Sequence, residues 1–279
     1  MFKFLSISRK KLKALGLTSE KKQENHNFFF QSSCVHPENI IDTVLHKTNV
    51  KHVFQTRRRR GVFCAEMPDG KEIIVKQYFL WRHKRDCFHV DKFGIAEISA
   101  KKIFDRSKFI LPEIYGYYEK RICGLPVECG IIMEFLSDFY QIMPQDKLLA
   151  VKVIVDLHRA GIYHRDLNTK NILRNHNQDI ALIDYSGKNY SPEETLHYLL
   201  RMTGCFLYST AFMYPEMVDQ EYRQDFVDSV CKKLTAETTC SVDIRDFQEI
   251  ALKLSFYPPW KEIPVEVFGD NRFFKVPEI

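Results

Sequence analysis

Residues 163–173, YHRDLNTKNIL, set a histidine, an arginine, an aspartate and two asparagines into eleven positions. Asp166 and Asn171 stand five apart, close enough in a loop to aim at one point. Asp184 follows thirteen residues after Asn171, at the end of the apolar run ALI. If segments 171–174 and 180–183 pair as a hairpin, Asp184 returns beside Asn171. One carboxylate plus one amide oxygen suits Mg2+, a hard cation that prefers oxygen ligands and keeps waters and phosphates in its shell. Asp166 is then left to orient or deprotonate a hydroxyl. Phosphoryl transfer needs this inventory: a metal against the phosphate charge and a carboxylate to position the nucleophile. It also needs a cation on the phosphates. Lys76, in IIVK, is placed for that role, and Glu97 on the following helix is the acid that would steady it. Taken singly, each of these residues is a common turn, cap or surface residue; four in this order form a pattern.

These residues need elements to hold them. VKHVFQT and GVFCAEM flank the basic turn RRRR, and EIIVKQYF follows the turn signal MPDGK, so residues 50–79 predict three antiparallel strands. KFGIAEISAKKIF has helical spacing, and ILPEIYGYYEK and GLPVECGIIMEFL predict two more strands. From about residue 144 the character changes. PQDKLLAVKVIVDLHRAG is an amphipathic helix ended by Gly161, and the sequence then turns mostly helical to about 254. The final 25 residues read as irregular. The expected class is α+β, with 1–36 a basic amphipathic segment, 37–136 a strand-rich lobe with one main helix, and 137–279 a larger helical lobe.

LHRAGIYHRDLNTKNIL followed by LIDYSG resembles the catalytic loop and metal-binding segment of the protein-kinase-like superfamily. The HRDLNxxNIL wording resembles the bacterial lipopolysaccharide core kinases, the Kdo and heptose kinases, more than ordinary protein kinases. The resemblance spans roughly 50–200 and implies a two-lobed protein-kinase-like fold using ATP and Mg2+. By position, Asp166 resembles the catalytic base, and Asn171 and Asp184 the magnesium ligands. Lys76 with Glu97 resembles the phosphate-anchoring ion pair. IIMEFL resembles the hinge, with Met133 behind the adenine and the backbone of Glu134 and Leu136 bonded to it; Leu173 forms part of the adenine floor. Gly61 is counted with the nucleotide-binding residues as the only glycine of the first hairpin. The implied acceptor is a sugar hydroxyl of an anionic, lipid-linked lipopolysaccharide core. Four departures stand out: TRRRRG replaces a glycine-rich loop, Asn168 stands where protein kinases usually carry lysine, Ile74 replaces an alanine above the adenine, and DYS replaces DFG with its glycine one place late, at Gly187. The same loop also serves kinases of protein or small-molecule hydroxyls, and a pseudokinase or binding scaffold is a third reading.

Composition sets the bounds. The chain has 279 residues, 45% of them hydrophobic, which excludes global disorder. The net charge of +5 is concentrated early, with seven Lys/Arg against two Glu in the first 25 residues. Phe2, Leu5, Leu12 and Leu15 could share one helical face there, giving either an interfacial helix on anionic lipid or a solvated terminus. No apolar stretch has the length of a membrane span or secretory signal. The eight cysteines show no metal-type spacing, so free thiols in a reducing cytoplasm are expected. The resemblance to the lipopolysaccharide core kinases, with the basic terminus and arginine turn, implies work at the cytoplasmic face of an inner membrane. RRRR at 57–60 is either a solvated turn or a contact for ATP phosphates or an anionic acceptor, and WRHKRD at 81–86 extends that basic surface. No nucleic-acid motif accompanies it.

Overall fold

The computed structural model describes residues 9–32, 34, 36–57, 60–80, 94–185, 187–192, 196–235 and 244–258. Residues 1–8 with Phe2 and Leu5, the turn residues 58–59, the 81–86 cluster and the final 259–279 lie outside the described residues. The chain divides into two compact units, residues 1–99 with 112–137, and residues 100–111 with 138–279.

The first unit is built on a seven-stranded antiparallel sheet. In chain order its strands are β1 (Leu17–Gln23), β2 (His26–Gln31), β3 (Val50–Arg57), β4 (Arg60–Glu66), β5 (Glu72–Phe79), β6 (Ile114–Ile122) and β7 (Leu125–Glu134). In space they run β1-β2-β6-β7-β5-β4-β3. β3, β4 and β5 fall on the three runs predicted from sequence. The MPDGK turn closes β4 onto β5, with the Met67 amide donating to the Lys71 carbonyl at 2.7 Å and Gly70 at a φ of +82° that suits glycine.

Alternation along β5 divides the core in two. Ile73 and Val75 face helix α2 (Pro37–His46), where they meet Ile40, Ile41 and Val44. Ile74, Lys76 and Tyr78 share the opposite face, which packs on Ile95 and Ile98 of helix α3 (Gly94–Phe104). Helix α2 and the β1–β2 hairpin are additions to the elements read from sequence. The short helix α1 (Arg9–Ala14) turns Leu12 into the core at 1% exposure, while Lys10, Lys11 and Lys13 stay exposed. Leu12 is therefore committed to the sheet rather than to a lipid-facing stripe.

The second unit is mainly helical. Helices α4 (Lys147–Arg159), α5 (His197–Met213), α6 (Gln220–Thr235) and α7 (Ile244–Leu254) surround one apolar core. α4 buries Val151, Ile154, Val155 and Leu157 and ends at Gly161, whose amide donates to the His158 carbonyl at 2.9 Å. Against these helices lie short strands: β8 (Tyr140–Gln141), β9 (Ile162–His164), β10 (Ile172–Arg174), β11 (Ile180–Leu182) and β12 (Gly187–Asn189). β10 pairs antiparallel with β11 and with β8, and β9 with β12. The hairpin expected over 171–183 is present.

Candidate active site

The β10–β11 register pairs Ile172 with Leu182 and Leu173 with Ala181. Extending it, the Ile183 amide donates to the Asn171 carbonyl at 3.1 Å, so Asp184 follows directly on the partner of Asn171. Asp184 itself has φ +52°, a left-handed conformation that non-glycine residues rarely adopt. Asp and Asn tolerate it best, and such backbone persists where surrounding contacts hold it.

Asp166 is exposed at its side chain and pinned at its backbone. Its amide donates to His164 Nδ1 at 3.2 Å. Its carbonyl accepts Asn171 Nδ2 at 2.8 Å and Asn168 Nδ2 at 3.1 Å. Asn168 Nδ2 also lies 3.3 Å from Asp166 Oδ1, and Asn168 Oδ1 accepts the Lys170 amide at 2.9 Å. Asn168 is 8% exposed and Asn171 5%. With Nδ2 of Asn171 spent on the loop, the atom that amide has to offer a cation is Oδ1. The sequence shows Asn168 as a substitution for lysine; its place as the bond between backbone and carboxylate of Asp166 comes only from the structure.

His164 supports the loop from below. Its ring is fully buried, edge-on to Phe104 at 5.4 Å. Burial pushes it down to about 4, opposed by the Ile183 backbone and the Asp184 charge. His158, bonded to the Tyr190 hydroxyl at 2.5 Å, is likewise pushed down to about 4 by burial and the nearby Arg159 charge. Both rings stay neutral in the folded chain, whereas the unfolded chain protonates them near 6.5. The unfolded state therefore binds more protons in this window. Stability present above pH 6.5 is expected to fall as pH drops toward 4, by about 3 kcal/mol for each ring over the full window. Denaturant midpoints at pH 7, 6 and 5 check this; a flat profile contradicts it.

Gly187 explains the late glycine. It pairs with His164 across β12 and β9, and a Cβ there would run into the Tyr163 carbonyl. The glycine thus lets the strand after Asp184 lie against the catalytic-type loop. Beyond it, the Tyr190 amide donates to the Gly161 carbonyl at 2.8 Å.

In the sheet unit, Lys76 Nζ lies 2.5 Å from Glu97 Oε1, with both side chains largely shielded from water. Tyr78 OH donates to Glu97 Oε2 at 3.4 Å. Met133, 3% exposed, sits on the same face, in register with Ile74. The Glu134 amide donates to the Glu113 carbonyl at 2.8 Å, and its carboxylate takes the Glu113 amide at 3.0 Å. Its amide and side chain thus secure the strand end. Leu136 is half-buried, Asp138 exposed, and Leu173 8% exposed within β10. Gly61 lies within β4 opposite Gln77, and a Cβ added there would point at Gln77 Oε1, 3.3 Å away, on the face opposite Lys76.

The structure thus joins Lys76 with Glu97 in one unit, and Asp166 with Asn171, Asp184 following, in the other. Among the described residues no three His, Cys, Asp or Glu converge on a common cation site. An amide oxygen and a carboxylate, rather than a cage, are the donors available, and they fit a cation whose remaining ligands are water and phosphate. No described helix is long and apolar enough to cross a membrane.

Comparison with known proteins bears on the fold and on one segment of the chain. Residues 131–189, which include Asp166, Asn168, Asn171 and Asp184, match the lipopolysaccharide kinase (Kdo/WaaP) family. No curated protein sequence matches the chain. Among solved structures, an amicoumacin kinase in complex with AMP-PNP, Ca2+ and its antibiotic superposes with a TM-score of 0.53 at 11% identity, covering 84% of this chain and 92% of that one. WaaP in complex with acyl carrier protein gives a TM-score of 0.49 at 15% identity, covering 78% of this chain and 97% of that one. The fold is kinase-like, as the resemblance carried by the catalytic-loop segment implied. The similarity to the lipopolysaccharide kinase (Kdo/WaaP) family covers residues 131–189, about a fifth of the chain, and supports a phosphotransferase that acts on a hydroxyl group.

Proposed function

We propose that the chain transfers the γ-phosphoryl group of ATP to a Kdo or heptose hydroxyl of the lipopolysaccharide inner core. The observation that carries this reading is the Asp166–Asn168–Asn171 hydrogen-bond network, which lies wholly inside the segment matching that kinase family. In this reading Asp166 orients the acceptor hydroxyl and takes its proton as the new P–O bond forms and the bond from the γ-phosphorus to the bridging oxygen breaks, releasing ADP. Lys76, steadied by Glu97, holds the α- and β-phosphates. The backbone of Glu134 and Leu136 would hold the adenine edge, with Ile74 above the ring; the family resemblance alone assigns Leu173 to the adenine floor. Asn171 Oδ1 and the Asp184 carboxylate would hold Mg2+, which supplies charge neutralisation at the phosphates when bound. Gly61 would serve through its backbone, because its missing side chain points away from Lys76.

An anionic, lipid-linked acceptor is handled at a membrane surface. The exposed Lys10, Lys11 and Lys13 support peripheral, electrostatic contact with the cytoplasmic face of an inner membrane. The 37–136 and 137–279 lobes would divide the work, nucleotide to the first and acceptor to the second.

Mass spectrometry of lipopolysaccharide from cells lacking the protein tests the acceptor. One phosphate should be missing from the inner core and should return with the wild-type gene but not with an Asp166→Ala copy. Unchanged core phosphorylation, together with phosphate transfer by the purified chain to protein or antibiotic hydroxyls, would reject the sugar acceptor.

A further inference from the structure

The face of the sheet that carries Lys76 continues to a second cation. The β4–β5 register sets Arg60 opposite Tyr78 and Val62 opposite Lys76. Because directly paired residues share a face, Arg60 and Tyr78 lie on the side occupied by Lys76 and Glu97. The Arg60 guanidinium carbon is 5.7 Å from the centroid of the Tyr78 ring. Tyr78 OH reaches Glu97 Oε2, and the other oxygen of that carboxylate takes Lys76 Nζ. Arg60, Tyr78, Glu97 and Lys76 thus form a chain of contacts along one sheet face. Arg60 as a residue is half-exposed, with its Nε shielded from water.

The β3–β4 hairpin is not glycine-rich. It has one glycine, Gly61, and the space that glycine leaves is turned toward Gln77 on the opposite face. Backbone amides freed by a glycine run are therefore not what this hairpin presents. A guanidinium stacked on a tyrosine is a prepared donor fork, suited to two oxygens of one phosphate. The geometry points to Arg60 as a phosphate-contacting residue for the bound nucleotide, held in place by Tyr78, and taking over the part that glycine-loop amides would otherwise play. This rests on the nucleotide reading given under Proposed function and adds to it a residue of this chain.

Calorimetric titration of the full chain with Mg·ATP and with adenosine tests it without reference to turnover. Wild type should bind ATP more tightly than adenosine. Arg60→Ala should weaken ATP by roughly 10- to 100-fold, the range of a charge-assisted hydrogen bond, and leave adenosine unchanged. Arg60→Lys should recover only part of the loss, since one ammonium cannot reproduce the fork. Tyr78→Leu, which removes the stacking ring, should narrow the ATP-to-adenosine ratio in the same direction by a smaller factor. Retention of adenosine affinity shows that each variant is folded. If Arg60→Ala keeps the wild-type ratio, the Arg60 assignment fails and the nucleotide reading stands. If wild type binds neither ligand, both fail.

Discussion

Asp166→Asn is expected to lower phosphoryl transfer by roughly 10²- to 10⁴-fold, the usual contribution of a general base, while Mg·ATP affinity changes by less than about threefold. The substitution isolates chemistry from architecture. The Asp166 amide is held by His164 and its carbonyl by Asn168 and Asn171, so the loop does not depend on the carboxylate for its course. An amide oxygen in place of Oδ1 still accepts from Asn168 Nδ2. What disappears is the charge proposed to draw the acceptor's proton. Steady-state rates with core oligosaccharide, paired with calorimetric ATP binding, check the two halves separately. Turnover within a few-fold of wild type would remove Asp166 from its role.

Glu97→Ala should be the most destabilising change in the sheet unit. Lys76 is 5% exposed, and its amine lies 2.5 Å from the Glu97 carboxylate. Taking away one member of a shielded ion pair leaves a charge that water cannot reach, at a cost of about 3–5 kcal/mol. Replacing both members with apolar residues of similar size removes that burden, so Lys76→Met with Glu97→Leu should regain most of the loss. Activity should not return with stability if Lys76 anchors the phosphates as proposed. Urea unfolding of the three variants, alongside their ATP affinities, separates packing from function. A loss below about 1 kcal/mol for Glu97→Ala would mean that the pair behaves as an exposed bridge.

Particular elements show how far the sequence could be read. EIIVKQYF became β5 over the predicted residues because β-branched alternation between a turn and a loop is a local signal. The amphipathic run ending at Gly161 became α4 for the same reason. The β1–β2 hairpin left no such mark. LTSEKKQ is an edge strand with mostly exposed side chains, so its composition is that of a solvated terminus. Its partner HNFFFQ, almost wholly buried, shows no period of two. Their place beside β6 is set by pairing over about ninety residues of chain, from His26 to Lys120. Helix α2, half of whose case is the sheet face it covers, was hidden in the same way.

The sequence alone determined the chemistry on offer: an Asp and an Asn five apart, a second Asp at a strand end, and a lysine followed by a glutamate, in an order that matches phosphoryl transfer. Residue types and local spacing are covalent facts, and they carry through any fold that is reached. Tertiary structure decided which neighbours those groups keep. It made Asn168 a clasp on Asp166, closed Gly187 against Tyr163, sent Leu12 into the core and stacked Arg60 on Tyr78. Hydrogen bonds and packing act over a few ångströms between residues far apart in the chain, so only the folded backbone brings them within range.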